Sequence, residues 1–159
     1  MNCGIAQALE VIGDWWTLLI VRDALFGARR FGDFEKSLGV ARNILSNRLR
    51  RLVDHGIFER VDVGSEGHRF EYRLTEKGEA LLPVLTTLRE WSDEWVFGRG
   101  NEPVIVRDRR TGRRVPRLRV TDADGHVLTR RELRTEPGPG ASRETRRLLE
   151  RRRSPRQPA

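Results

Sequence analysis

Cysteine is almost missing from this 159-residue sequence: Cys3 is its one representative. A single thiol excludes an internal disulfide framework and any cysteine-rich zinc site, so the fold must be held by packing. Only a bridge to another molecule or a mixed disulfide is open to it. Long apolar runs are lacking as well. The best of them, residues 15–24, is broken by Arg22 and Asp23, far short of the roughly 20 residues that span a bilayer. No basic segment precedes the first apolar stretch, which Glu10 and Gly13 interrupt, so the pattern of a secretory leader is absent and a cytoplasmic location away from membranes is expected. The histidines His55, His68 and His126 are dispersed, which argues against a metal site. There are no paired carboxylates, no nucleophile–base arrangement and no phosphate-cradling glycine loop, so neither catalysis nor a cofactor is expected.

Charge is abundant but uneven. The net charge is +8, yet residues 1–98 hold 13 Lys and Arg against 15 Asp and Glu, a net of −2, while residues 99–159 carry a net of +10. Basicity therefore belongs to the tail, and any argument for nucleic-acid binding rests on pattern within the first 98 residues.

That pattern is helical at first. Leu9, Ile12, Trp16, Leu19 and Ile20 recur at three and four residues, interrupted at Gly13-Asp14, where Asp14 is a natural N-cap; a short helix followed by a longer one is expected. Phe31, Phe34 and Leu38 form one stripe on a further short helix that Gly39 closes. In residues 41–56, Leu45, Leu49 and Leu52 share one face, and Arg42, Asn43, Ser46, Asn47 and Arg50 the other. β-formers in 57–63 and 69–74 flank the turn 64–68 and predict a hairpin. Thr75 then caps a helical stripe over 76–97, which Pro83 must kink or split. Three segments result: 1–98 as the main domain, 99–136 as a small β extension with strands near 104–106 and 115–120, and 137–159 as a flexible basic tail with a transient helix around 144–153.

Two short helices joined by a glycine turn, the second polar outside and followed by a hairpin, make a winged helix-turn-helix of the α+β class. A helix of this width enters the major groove of a double-stranded DNA operator. Arg42 is suited to guanine, Asn43 or Asn47 to adenine, and Ser46 and Arg50 to base or phosphate. Arg48 and Arg51 would meet phosphates, and His68 and Arg69 of the wing the backbone or minor groove. The aromatic stripe Trp91, Trp95, Val96 and Phe97 lies too far along the chain to be fully buried in a domain of this size, and points to a homodimer on an inverted repeat; the other reading has these residues cover the core of their own subunit.

The blocks LEVIGDWW (9–16), RFGDF (30–34), LSNRLRRL (45–52), GIFER (56–60), EYRLTEKG (71–78) and LREW (88–91) together resemble the HxlR-type regulators across residues 3–97. The chain differs from that pattern at Trp15, where the family tends to have lysine, and in the wing, where a proline commonly precedes the second strand. The resemblance implies a dimeric repressor or activator whose first helix (Ile5, Leu9) and post-wing helix (Leu88, Trp91, Trp95) build the two-fold interface. It also implies a redox- or electrophile-sensing role for Cys3, since some members use a cysteine near the N-terminus. A half-buried thiol at the start of a helix, with no sensing role, is the other reading. The basic tail either neutralises phosphates or solubilises the chain. The competing function is a protein-interaction or RNA-binding module whose tail binds an acidic partner. No small-molecule effector is identified by these residues.

Overall fold

A computed structural model describes residues 3–64 and 69–153. Its elements run α1 (Gly4–Ile12), α2 (Trp15–Leu25), α3 (Phe31–Leu38), α4 (Arg42–Asp54), β1 (Phe58–Asp62), β2 (Phe70–Leu74), α5 (Glu76–Glu79), α6 (Leu82–Ser92), a π-helical turn (Asp93–Phe97) and α7 (Arg143–Arg153). Ile12–Leu118 form one compact unit; residues up to Val11 and those from Arg119 onward form another.

The helix boundaries follow from local chemistry. Asp14 is extended, and its carboxylate accepts from the Thr17 N–H at 3.2 Å, satisfying an otherwise unpaired donor at the start of α2. At α3 the cap is reversed. Asp33, in the first turn, reaches back to accept from the backbone N–H groups of Arg30 (2.8 Å) and Arg29 (3.1 Å). Those two donors, Arg30 foremost, hold its carboxyl below the usual aspartate value. Gly39 ends α3 with φ of 60°, a left-handed conformation that an L side chain rarely adopts, and so turns the chain sharply into α4.

Each of α2, α3 and α4 is apolar on one side only, and these sides meet. Ile20, Val21, Phe34, Leu45, Leu49, Leu52 and Phe58 are sealed from solvent. Burial of such side chains contributes about 1.5–3 kcal/mol each. Phe34, Phe58 and Tyr72 form an edge-on triangle with ring centroids 6.2–6.5 Å apart, which ties α3 to both strands. The hairpin is antiparallel from Phe58↔Leu74 to Asp62↔Phe70. The loop before α3 joins its edge, where the Tyr72 N–H donates to the Arg29 carbonyl at 2.7 Å. His68 lies outside the described residues.

The stripe over 76–97 is split rather than kinked. Pro83 falls in the first turn of α6, where its missing N–H breaks no bond. Residues 99–118 pack with α6 and the π turn. Glu94 pairs with Arg99 at 2.6 Å and with Arg117, Glu102 with Arg114 at 2.9 Å, and Glu90 accepts from the Leu118 N–H at 3.1 Å. The two guanidinium groups beside Glu94 hold its carboxyl below the usual range.

The β extension is smaller than its sequence pattern indicates. Instead of strands at 104–106 and 115–120 there is a single bridge, Arg107↔Arg114, extended by the Val115 N–H to Val106 carbonyl bond. Pro116 removes the next donor, and Val104, Ile105 and Val115 stay exposed, so no burial lengthens the ladder. In the other unit a second bridge, Thr121↔Val127, closes the turn at 122–125, and α7 starts where the Ser142 hydroxyl accepts from the Thr145 N–H at 3.1 Å.

Gly78 is buried in α5, where an added Cβ would press on the Ile57 carbonyl oxygen and approach the Leu74 side chain to 2.8 Å. Gly78→Ala is therefore expected to destabilise the protein by about 2–3 kcal/mol, read as a lowered urea midpoint. An unchanged midpoint would contradict this packing.

Candidate nucleic-acid interface

The surface of α4 is set by its own periodicity. Leu45, Leu49 and Leu52 fix one side in the core, and Asn43, Asn47, Arg50 and Arg51 stand exposed on the side away from them, with Ser46 exposed on a flank; Arg42, seven residues before Leu49, is exposed in the first turn on the side next to α3. Ala41 supplies no side-chain cap, so the first N–H groups of α4 end in no capping side chain, the arrangement that suits an incoming anion.

Arg42 and Arg48, both chosen from the sequence, are engaged within the chain. Arg42 lies 3.2 Å from the Glu35 carboxylate, and its guanidinium sits 5.1 Å from the Phe31 ring centre. Three-quarters of its side chain remains exposed, so this tether is a weak surface pair. Arg48 is different. Its side chain is only a quarter exposed, and Nη2 donates to Asp14 at 2.8 Å, joining α4 to the cap of α2. Its Nε is buried without a hydrogen-bond partner among the described residues. Arg48 thus braces the helix from the side.

In the wing, Arg69 is exposed; its N–H donates to Asp62 at 3.3 Å and its carbonyl accepts from Val63 at 2.7 Å. Arg60, not among the site residues expected from the sequence, lies diagonally across the hairpin with its guanidinium 3.5 Å from the Phe70 ring centre. An arginine and an aromatic at facing ends of a predicted hairpin were the available signal. Asn43, Ile44, Asn47 and Arg48 line a shallow open cleft of about 190 Å³.

Elsewhere, Ile5 and Leu9 on α1, and Leu88, Trp91 and Trp95 on α6 and the π turn, are exposed, Trp95 by 71%. Cys3 is half-buried just before α1. The Ala6 and Ile5 N–H groups donate to its sulfur and hold the thiol below its ordinary value. Asp122, Asp124 and His126, a grouping not expected from the dispersed histidines, bring ligand-type atoms within 4.8 Å of one another. The bonds among them are those of a tight turn: the Asp122 carboxylate accepts from the N–H groups of Asp124 (3.0 Å) and His126 (2.8 Å). No single helix among the described residues is long and apolar enough to cross a membrane.

With this geometry in view, the family model for HxlR-like helix-turn-helix proteins matches residues 11–99. The chain belongs to that family. An uncharacterised HTH-type transcriptional regulator of Mycobacterium tuberculosis is 44% identical over 137 residues, 86% of each chain. The HTH-type regulator YvaP of Bacillus subtilis is 35% identical over 57% of this chain and 84% of its own. Among solved structures, PA1607, a candidate transcription factor, is 47% identical over 85% of this chain and 94% of its own, with a TM-score of 0.79. That likeness runs beyond the residues of the family model. The reduced form of the B. subtilis transcriptional regulator YodB is 29% identical over 60% of this chain and 95% of its own, with a TM-score of 0.53. The redox regulator HypR in its reduced form is 28% identical over 57% and 91%, with a TM-score of 0.54. This HxlR-like chain is thus a mixed helix-and-hairpin winged protein among transcriptional regulators.

In this HxlR-like protein Asp14 both caps α2 and anchors Arg48. Asp14→Ala is expected to lower stability by about 1–3 kcal/mol in chemical denaturation, whereas Asp14→Asn, which keeps an oxygen for the Thr17 N–H, costs less. Equal losses from the two variants would contradict the double role.

Proposed function

We propose that the chain is a sequence-specific DNA-binding repressor that acts as a homodimer on an inverted-repeat operator, with Cys3 as a redox input. The observation that carries the proposal is the exposed hydrogen-bonding face of α4, held outward by three fully buried leucines and flanked by a wing. Arg42, Asn43, Ser46, Asn47 and Arg50 offer the donor and acceptor groups that read base edges, and Arg51 and Arg69 are placed for phosphates. For Arg42 to reach guanine it exchanges the Glu35 carboxylate for the base. Arg48 supports the helix from the side. A dimer covers the exposed Trp91 and Trp95, and presents two copies of α4 to half-sites about 34 Å apart. Occupation of an operator by such a dimer blocks access to neighbouring DNA. The competing reading, a protein-interaction or RNA-binding module with a basic tail, leaves the α4 face without a task. The thiol environment of Cys3, together with the likeness to YodB and to the redox regulator HypR, supports an oxidant-responsive role.

Arg42→Ala combined with Asn47→Ala is expected to weaken binding to the selected operator about ten- to a hundredfold while leaving binding to unrelated duplex almost unchanged, measured by fluorescence anisotropy. Unchanged operator affinity favours the interaction-module reading. Replacing Trp91 and Trp95 together with aspartate is expected to halve the mass measured by sedimentation equilibrium; a parent protein already monomeric at micromolar concentration would remove the dimer. Diamide is expected to change operator affinity in the parent protein and not in Cys3→Ser, and an identical response in both would exclude Cys3 as the input.

A further inference from the structure

The cleft on α4 contains a residue that neither the core nor the hydrogen-bonding face accounts for. Ile44 is the single exposed apolar side chain of α4, at 38%, whereas Leu45, Leu49 and Leu52 are buried in the core and Val53 is half-buried. A β-branched residue in an exposed first turn is also a poorer helix former than the unbranched residues that suit such a position. Ile44 stands in the part of the helix from which side chains reach base edges, and shares its cleft with the amides of Asn43 and Asn47.

An apolar spot bracketed by two amides is complementary to a specific pair of groups. In the major groove the apolar group a base pair displays is the C5-methyl of thymine, and the partner of an asparagine amide is the N6/N7 edge of adenine. We propose that Ile44 packs on one thymine methyl in each operator half-site, next to an adenine read by Asn43 or Asn47. This rests on the DNA-binding reading above and adds to it a recognised chemical group. Loss of that methyl exposes the isoleucine face to water without altering any hydrogen bond of the base pair.

The test uses the full chain. A duplex is selected from a random pool, and each thymine in it is replaced singly by deoxyuridine, which removes only the methyl. Affinities are measured for the parent, Ile44→Val and Ile44→Ala. In the parent, one position per half-site is expected to lose about three- to tenfold on replacement. Ile44→Ala should bind the thymine and deoxyuridine duplexes within about twofold of each other at that position, and Ile44→Val should keep part of the difference. A parent indifferent to every methyl overturns the proposal while leaving operator binding intact; so does a methyl effect that persists in Ile44→Ala. Failure of any duplex to be enriched overturns the DNA-binding reading itself, and this proposal with it.

Discussion

A helix offers a chemically useful side to a ligand only if its other side is immovably held, and here that hold is the insertion of Leu45, Leu49 and Leu52 into the core formed with α2, α3 and the start of β1. All three are at or within 1% of complete burial, beside Ile20, Val21, Phe34 and Phe58. The remaining features of α4 follow from that anchoring. Its outward residues are those left over by a 3.6-residue period, its angle to α3 is set by the turn at Gly39, and its lateral position is fixed by the Arg48–Asp14 pair. The hairpin is locked to the same core through the triangle of Phe34, Phe58 and Tyr72. A helix face of this kind is pre-organised by apolar packing, and little of its rigidity has to come from its polar groups.

Electrostatics plays a secondary part. The first 98 residues are slightly acidic overall. In the extension Arg99 and Arg117 are committed to Glu94, contacts that hold residues 99–118 against the π turn, and Arg114 pairs with Glu102 within the segment itself. Such exposed pairs contribute little individually. They do occupy three of the basic side chains of residues 99–159, which leaves fewer of them to meet phosphate directly.

The legible features were the short-range ones. The N-cap at Asp14, the glycine stop at Gly39, the leucine spacing of α4 and the alternating strands of the hairpin each depend on residues within one or two turns of each other, and sequence spacing reports them directly. Most of the candidate reading face could be named in the same way, because periodicity alone separates Asn43 and Asn47 from Leu45 and Leu49. Long-range side-chain choices were not legible. Arg48 looked like one more basic residue on a polar helix, and only the fold brings it to an aspartate 34 positions earlier. Arg42 beside Glu35, and Arg60 over Phe70, depend likewise on the turn and the hairpin register. β-propensity over-predicts strands in the extension because it describes residues that fit a half-buried sheet, and Val104, Ile105 and Val115 have no sheet to join. The widening of the last turns at Asp93–Phe97 left no mark in the apolar stripe.

In the proposed function, α4 of this HxlR-like chain is a fixed reading helix, supported by one lateral ion pair and doubled by self-association. Sequencing the duplexes that the full-length protein retains from a random pool tests it most directly. The account predicts two like half-sites in inverted orientation with centres about one helical turn apart. A retained pool no different from the input, or a single half-site with no inverted partner, would contradict it.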